Sequence, residues 1–175
     1  TLAAEVLQGI EFPVLVGSGT LGIGVDRLAD YICEIGPSPA ERPVTVETAD
    51  DLIDVPPDAS QAPLLTVFKT VADQYVGRIS LFKVVTGTLA NDAMLTDSVS
   101  GSPERMHGLF SLCGSTTTPV SSVVAGDLAG VAKLSNAVTG STLRSDGQPV
   151  VVPSASVPTA HLSVALVPRT QSDDD

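Results

Sequence analysis

Few residues in this chain are of types that do chemistry, and their spacing removes most of what they could do. Gly17-Ser18-Gly19-Thr20-Leu21-Gly22 matches G-x-G-x-x-G, the spacing at which glycines let a backbone close on a pyrophosphate at a helix N-terminus. A short apolar run precedes it and a helical pattern comes after. A βαβ unit then needs a second parallel strand, and a proline-rich acidic stretch stands there instead. The dinucleotide reading fails on that context. His107 and His161 have no Asp, Cys or second His at ligand spacing, and nothing positions Ser18, His161 and an Asp as a hydrolase triad. Cys33 and Cys113 lie far apart, without the paired spacing of a zinc site. They read as two buried thiols in a reducing compartment. No metal site is expected.

Charge distribution narrows the possibilities further. The net charge is −11. Residues 1–62 carry two cations (Arg27, Arg42) against eleven acids, whereas residues 63–170 carry seven cations (Lys69, Arg78, Lys83, Arg105, Lys133, Arg144, Arg169) against six. Asp173-Asp174-Asp175 adds three further acids. A surface that gripped nucleic acid along its whole length would not be so acidic. Any phosphate contact belongs to the C-terminal two thirds and is local.

The elements that would carry these residues can be read from periodicity. At 175 residues the chain can bury one good core, built from Val, Leu, Ala and Ile because Trp is absent and other aromatics are few. No run approaches the roughly 20 apolar residues of a membrane helix, and no secretory signal is expected. The opening TLAAEVLQGIEF has the character of a helix already under way, so an excised piece of a longer polypeptide is expected. Phe12-Pro13-Val14-Leu15-Val16 predicts a short buried strand. Val25, Leu28, Ala29, Ile32 and Ile35 recur at helical spacing until Gly36-Pro37 stops the helix. One strand and one or two helices cannot close a core, so residues 1–36 are expected to be a remnant of a larger α/β domain. Residues 37–62 hold five of the 13 prolines and a cluster of acids and read as a linker, with a short strand at Thr45-Val46-Glu47 as an option. From Pro63, β-branched runs alternate with turn residues every 8–12 positions, the pattern of an antiparallel barrel or sandwich. Imperfect alternation over 79–85, where Lys83 shares a face with Leu81, suggests a bulge or barrel end.

The most specific text lies in PLLTVFKTVADQYVGRISLFKVVTGTL: two strands around the loop Ala72-Asp73-Gln74-Tyr75-Val76-Gly77-Arg78, closed by a Thr86-Gly87 turn. Glu104-Arg105, Ala125-Gly126-Asp127, Thr139-Gly140-Ser141-Thr142-Leu143 and Val167-Pro168-Arg169-Thr170 come next, in that order. These words resemble domain II of elongation factor G and the related translational GTPases. The resemblance implies a mainly β fold, an antiparallel translation-factor-type β-barrel over residues 63–170, with a tail at 171–175. It also implies that residues 1–36 end the GTPase domain, with Val16-Gly17-Ser18-Gly19 as its guanine loop and Gly24-Val25-Asp26 opening its closing helix.

The same resemblance carries the functional expectations. The longer protein would be a GTP-hydrolysing translation factor of the elongation factor G type, acting in the cytoplasm as a monomer with GTP and Mg²⁺. Its domain II would dock on the small ribosomal subunit during translocation and touch ribosomal RNA. Ser18 would fix the guanine loop, and the Gly19 N–H would reach guanine O6. Gly19 stands where the family usually has Ala, which costs the loop some stiffness. No P-loop, Asn-Lys-x-Asp or switch segment is present, so neither hydrolysis nor measurable GTP binding is expected of this segment alone. Arg78 (in Val76-Gly77-Arg78), Lys83 and Arg105 are the candidate ribosomal RNA contacts, since a guanidinium fork suits phosphate. The competing reading of each is a solvated strand charge. Gly126 and Asp127 are expected to build a structural turn. Ser115-Thr116-Thr117-Thr118-Pro119 departs from the family's charged loop and suits a diverged paralogue. A ribosome-protection or release-type relative, and a non-enzymatic barrel module that binds a protein partner, are the alternatives.

Overall fold

The computed structural model describes residues 1–73, 75–147, 149–154, 159–165 and 167. Two helices, α1 (Leu2–Leu7) and α2 (Val25–Ile35), precede twelve short strands. These are β1 (Val44–Glu47), β2 (Leu52–Val55), β3 (Leu64–Asp73), β4 (Gly77–Thr86), β5 (Thr88–Ala90), β6 (Met94–Asp97), β7 (Pro103–Arg105), β8 (Phe110–Cys113), β9 (Thr116–Pro119), β10 (Ser122–Val124), β11 (Leu128–Ala132) and β12 (Thr142–Arg144). No described helix is long and apolar enough to cross a membrane.

Eight strands form one antiparallel sheet in the order β7-β6-β12-β3-β4-β11-β8-β9, while β5 and β10 pair separately. Its edges, β7 and β9, do not pair with one another, so the fold is mainly β but the ladder does not close into a true barrel. The sheet is nevertheless wrapped around a main apolar core that includes Leu65, Val67, Phe82, Val84, Leu95, Val131 and Leu143, with Leu89 and Val123 supplied by the β5–β10 pair.

The β3–β4 hairpin is the backbone of this arrangement, paired from Leu64↔Thr86 to Asp73↔Gly77. Its turn is set by Asp73, whose carboxylate accepts from the N–H groups of Tyr75 (2.9 Å) and Val76 (2.8 Å). In β4, Ser80, Phe82 and Val84 face inward while Ile79, Leu81 and Lys83 are half-buried outside. The irregularity suggested by the sequence has a definite form: Val85 is an extra residue opposite β3, and Phe68 an extra residue opposite β4. Each bulge bends its strand and tightens the twist, which a curled sheet requires. At the end of β4, Gly87 has φ +85°, and a Cβ there would lie 2.5 Å from Pro63 Cα. Only glycine fits that turn.

Residues 44–55 are more ordered than their acidic composition suggests. β1 and β2 form a hairpin, and Val46 is fully buried against Leu64, Val85, Val150 and Val152. Residues 12–16, read from sequence as a buried strand, have no pairing partner and are exposed, Val16 at 93%. A strand needs a neighbour to satisfy its backbone, and none of the described residues supplies one. The apolar positions Val25, Leu28 and Ile32 of α2 are likewise exposed. Cys33 and Cys113, expected to be buried, are both exposed free thiols, because α2 and the β8–β9 hairpin have no covering layer among the described residues. His161 is exposed and outside any strand. Pro168-Arg169-Thr170 and residues 171–175 lie outside the described residues.

Candidate functional site

The densest polar construction joins two distant parts of the sequence at one end of the sheet. Glu104, at the centre of β7, is 97% removed from solvent. Its carboxylate accepts hydrogen bonds from the backbone N–H groups of Ser135 (2.9 Å), Asn136 and Ala137 (2.8 Å). Arg78, at the start of β4, reaches the same segment from its acceptor side: Nη2 donates to the carbonyls of Leu134 and Ser135, the latter at 3.1 Å. The Arg78 carbonyl also accepts from the Lys133 N–H at 2.8 Å. Residues 133–137 are therefore held by donors and acceptors together. Lys133 adopts φ +60°, a left-handed conformation that residues with a Cβ avoid, and its side chain is exposed.

A second polar group lies on the exposed rim where β5 leads into β6. Asp92, at φ +66°, places Oδ1 at 2.6 Å from His107 Nδ1 and at 2.9 Å from Arg105 Nη2. Asn91 Oδ1 accepts from the N–H groups of Gly108 (2.8 Å) and Leu109 (3.0 Å), fixing the loop that carries His107. The hydrogen bond from His107 outweighs the opposing effect of burial and, with lesser help from the adjoining His107 and Arg105 groups, holds the Asp92 carboxyl below its ordinary value. Arg105 remains 64% exposed in its side chain. Lys83 is half-buried on the outer face of β4, and its ammonium makes no hydrogen bond or ion pair with the described residues. The three expected contact residues thus sit in different settings: Arg105 exposed but ion-paired with Asp92, the Lys83 ammonium unpaired on a strand, Arg78 engaged with two carbonyls.

Gly126 has φ +94°, and a Cβ there would meet Pro39 Cβ at 2.9 Å. Asp127 Oδ2 accepts from the Val124 N–H at 3.0 Å, and Gly126 N–H donates to the Val84 carbonyl at 2.8 Å. This turn locks β10 and β11 onto the end of β4. Near the N-terminus, Ser18 and Ile23 exchange backbone hydrogen bonds at 2.9 and 3.0 Å. They close a tight loop beside a cavity of about 240 Å³ lined by residues including Val16, Ser18, Gly19 and Leu28. Gly19 is exposed, with open space around it, and its N–H donates to no described residue. No group of three His, Cys, Asp or Glu among the described residues could hold a metal.

Sequence reasoning missed Glu104, Asp92 and Lys133 as organising residues. Each meets its partners across a long stretch of chain or through an unusual backbone angle. The available signal was weak: Glu104 as an acid in a strand, and Asn91-Asp92 as turn formers.

The family model of elongation factor G domain 2 matches residues 64–146, the stretch that holds both polar groups and the whole eight-stranded sheet. The chain is also similar to a protein from Thermus thermophilus of known crystal structure, with 27% sequence identity and a TM-score of 0.74. That likeness covers 98% of this chain and 24% of the other, so the chain spans about a quarter of its neighbour's length. Residues 64–146 are a domain of the elongation factor G domain 2 type.

Proposed function

We propose that this chain serves in a GTP-hydrolysing translation factor whose domain 2 docks on the small ribosomal subunit in the cytoplasm. The match over residues 64–146 carries the reading. The charge pattern supports it, since cations concentrate in a segment whose flanks are acidic. Arg105 and Lys83 meet ribosomal RNA phosphates directly, and Arg78 belongs to the same contact region. GTP and Mg²⁺ supply the hydrolytic chemistry in the longer protein. Here Ser18 shapes the loop that meets the guanine base, and Gly19 offers its N–H. The exposed apolar faces of residues 12–16 and α2 suit burial against the rest of such a GTPase domain, leaving the protein a monomer.

The β8–β9 hairpin presents an exposed, uncharged tip at Ser115-Thr116-Thr117. That feature favours, as a second reading, a relative whose ribosomal role is other than translocation. Cosedimentation of the 175-residue chain with purified small subunits across a salt series tests the docking. Arg105→Ala and Lys83→Ala each lower binding and flatten its salt dependence. Pelleting unchanged in both variants rejects these contacts.

A further inference from the structure

We infer that Lys133, and not Arg78, is the cation the 133–137 turn offers to a phosphate, with Arg78 and Glu104 acting as positioning residues beneath it. The inference rests on the docking reading above and assigns work within it. Three observations converge on Lys133. Its φ of +60° is unfavourable for a residue with a Cβ, and such strain persists only where the surroundings over-determine it. The surroundings here do so: the Lys133 N–H is bonded to the Arg78 carbonyl, and the next four residues are clamped by the Arg78 guanidinium and the buried Glu104 carboxylate. The Lys133 side chain itself is exposed and makes no ion pair or hydrogen bond with the described residues.

Arg78 presents the opposite case. Its Nη2 is committed to two carbonyls, so a phosphate would have to compete for the fork that makes arginine valuable. The Glu104 oxygens are occupied by three N–H groups of the turn, and Glu104 forms no ion pair with Lys133. Ser135 and Asn136 are exposed beside Lys133 on the same immobilised turn, adding a hydroxyl and an amide as hydrogen-bond donors. An ammonium with neutral donors on a rigid backbone suits a sugar-phosphate chain, whose oxygens accept from both.

The test is cosedimentation with small subunits at several salt concentrations, paired with thermal unfolding of each variant. Lys133→Gly removes the ammonium while keeping a residue at ease with positive φ. It should lower association about five- to eightfold at about 0.1 M monovalent salt and reduce the log–log salt slope by about 0.7–0.9, with Tm unchanged or raised. Lys133→Arg should retain both affinity and slope. Arg78→Lys should lower Tm and weaken binding while leaving the slope intact, the signature of positioning without phosphate contact. Wild-type pelleting with an unaltered Lys133→Gly overturns the assignment of Lys133 alone. A reduced slope in Arg78→Lys returns the phosphate contact to Arg78. Wild type that fails to pellet at about 50 mM salt overturns the docking reading itself.

Discussion

Removing the Glu104 carboxylate should cost a large share of the stability of the domain. In Glu104→Ala, three backbone N–H groups lose their acceptor. Hydrogen bonds to a charged group contribute about 1.5–3 kcal/mol each, and a buried donor left unpaired costs about 1–3 kcal/mol. Ser135 and Asn136 are exposed, so water recovers much of their loss, whereas Ala137 is fully buried and its N–H has no substitute. Adding the lost packing of the Cγ methylene, about 0.8 kcal/mol, gives about 3–5 kcal/mol. That is a large share of the roughly 5–15 kcal/mol of an ordinary domain. Glu104→Gln keeps one acceptor oxygen. Oriented toward Asn136 and Ala137, it leaves its NH₂ facing the Ser135 N–H, a loss of about 1–2 kcal/mol. Urea denaturation of the 175-residue chain reads both. With m of about 1.5–2 kcal/mol/M, the Ala variant should fall by about 1.5–3 M in midpoint and the Gln variant by about 0.5–1 M. If both variants stay within about 0.5 kcal/mol of wild type, the carboxylate does not hold the 133–137 turn and the clamp is refuted.

Gly130→Ala should destabilise by about 1–3 kcal/mol, because its Cβ would lie 2.5 Å from Phe110 Cε2 and 3.2 Å from Leu112 Cδ1. Adding Phe110→Leu should recover part of that loss, and a double variant no better than Gly130→Ala in urea denaturation contradicts the steric account. Acid titration should expose Asp97. Burial raises its carboxyl pKa, but hydrogen bonds from Ser100, Ser141 and Val99 outweigh this and bring the folded value below 3.8. A depressed folded pKa gives stability that is complete above the ordinary carboxyl value and lost as pH falls toward the folded one. Tm measured from about pH 5 to pH 2 should therefore decline less steeply in Asp97→Asn than in wild type, from a lower starting point; parallel curves would exclude this role.

Short-range chemistry was legible in the residues themselves. The period of Val25, Leu28 and Ile32, ended by Gly36-Pro37, placed α2 because a helix is built from contacts three and four residues apart. Asp73, Gly77 and the Thr86-Gly87 pair marked the β3–β4 hairpin because turns are satisfied by neighbours within the turn. The domain 2 resemblance drew on these same local words. Tertiary structure decided what the local words left open. It put Val46 of an acid-rich stretch into a core with Val150, and left residues 12–16 exposed despite an apolar run. It also turned Arg78 toward carbonyls 56 and 57 residues away, and joined Asp92 to His107 across 15. Whether a cation is free or spent, and whether an acid is solvated or buried, depends on which chain segments meet when the sheet curls. Such encounters are fixed by packing over the whole fold and leave no trace in the spacing of neighbouring residues.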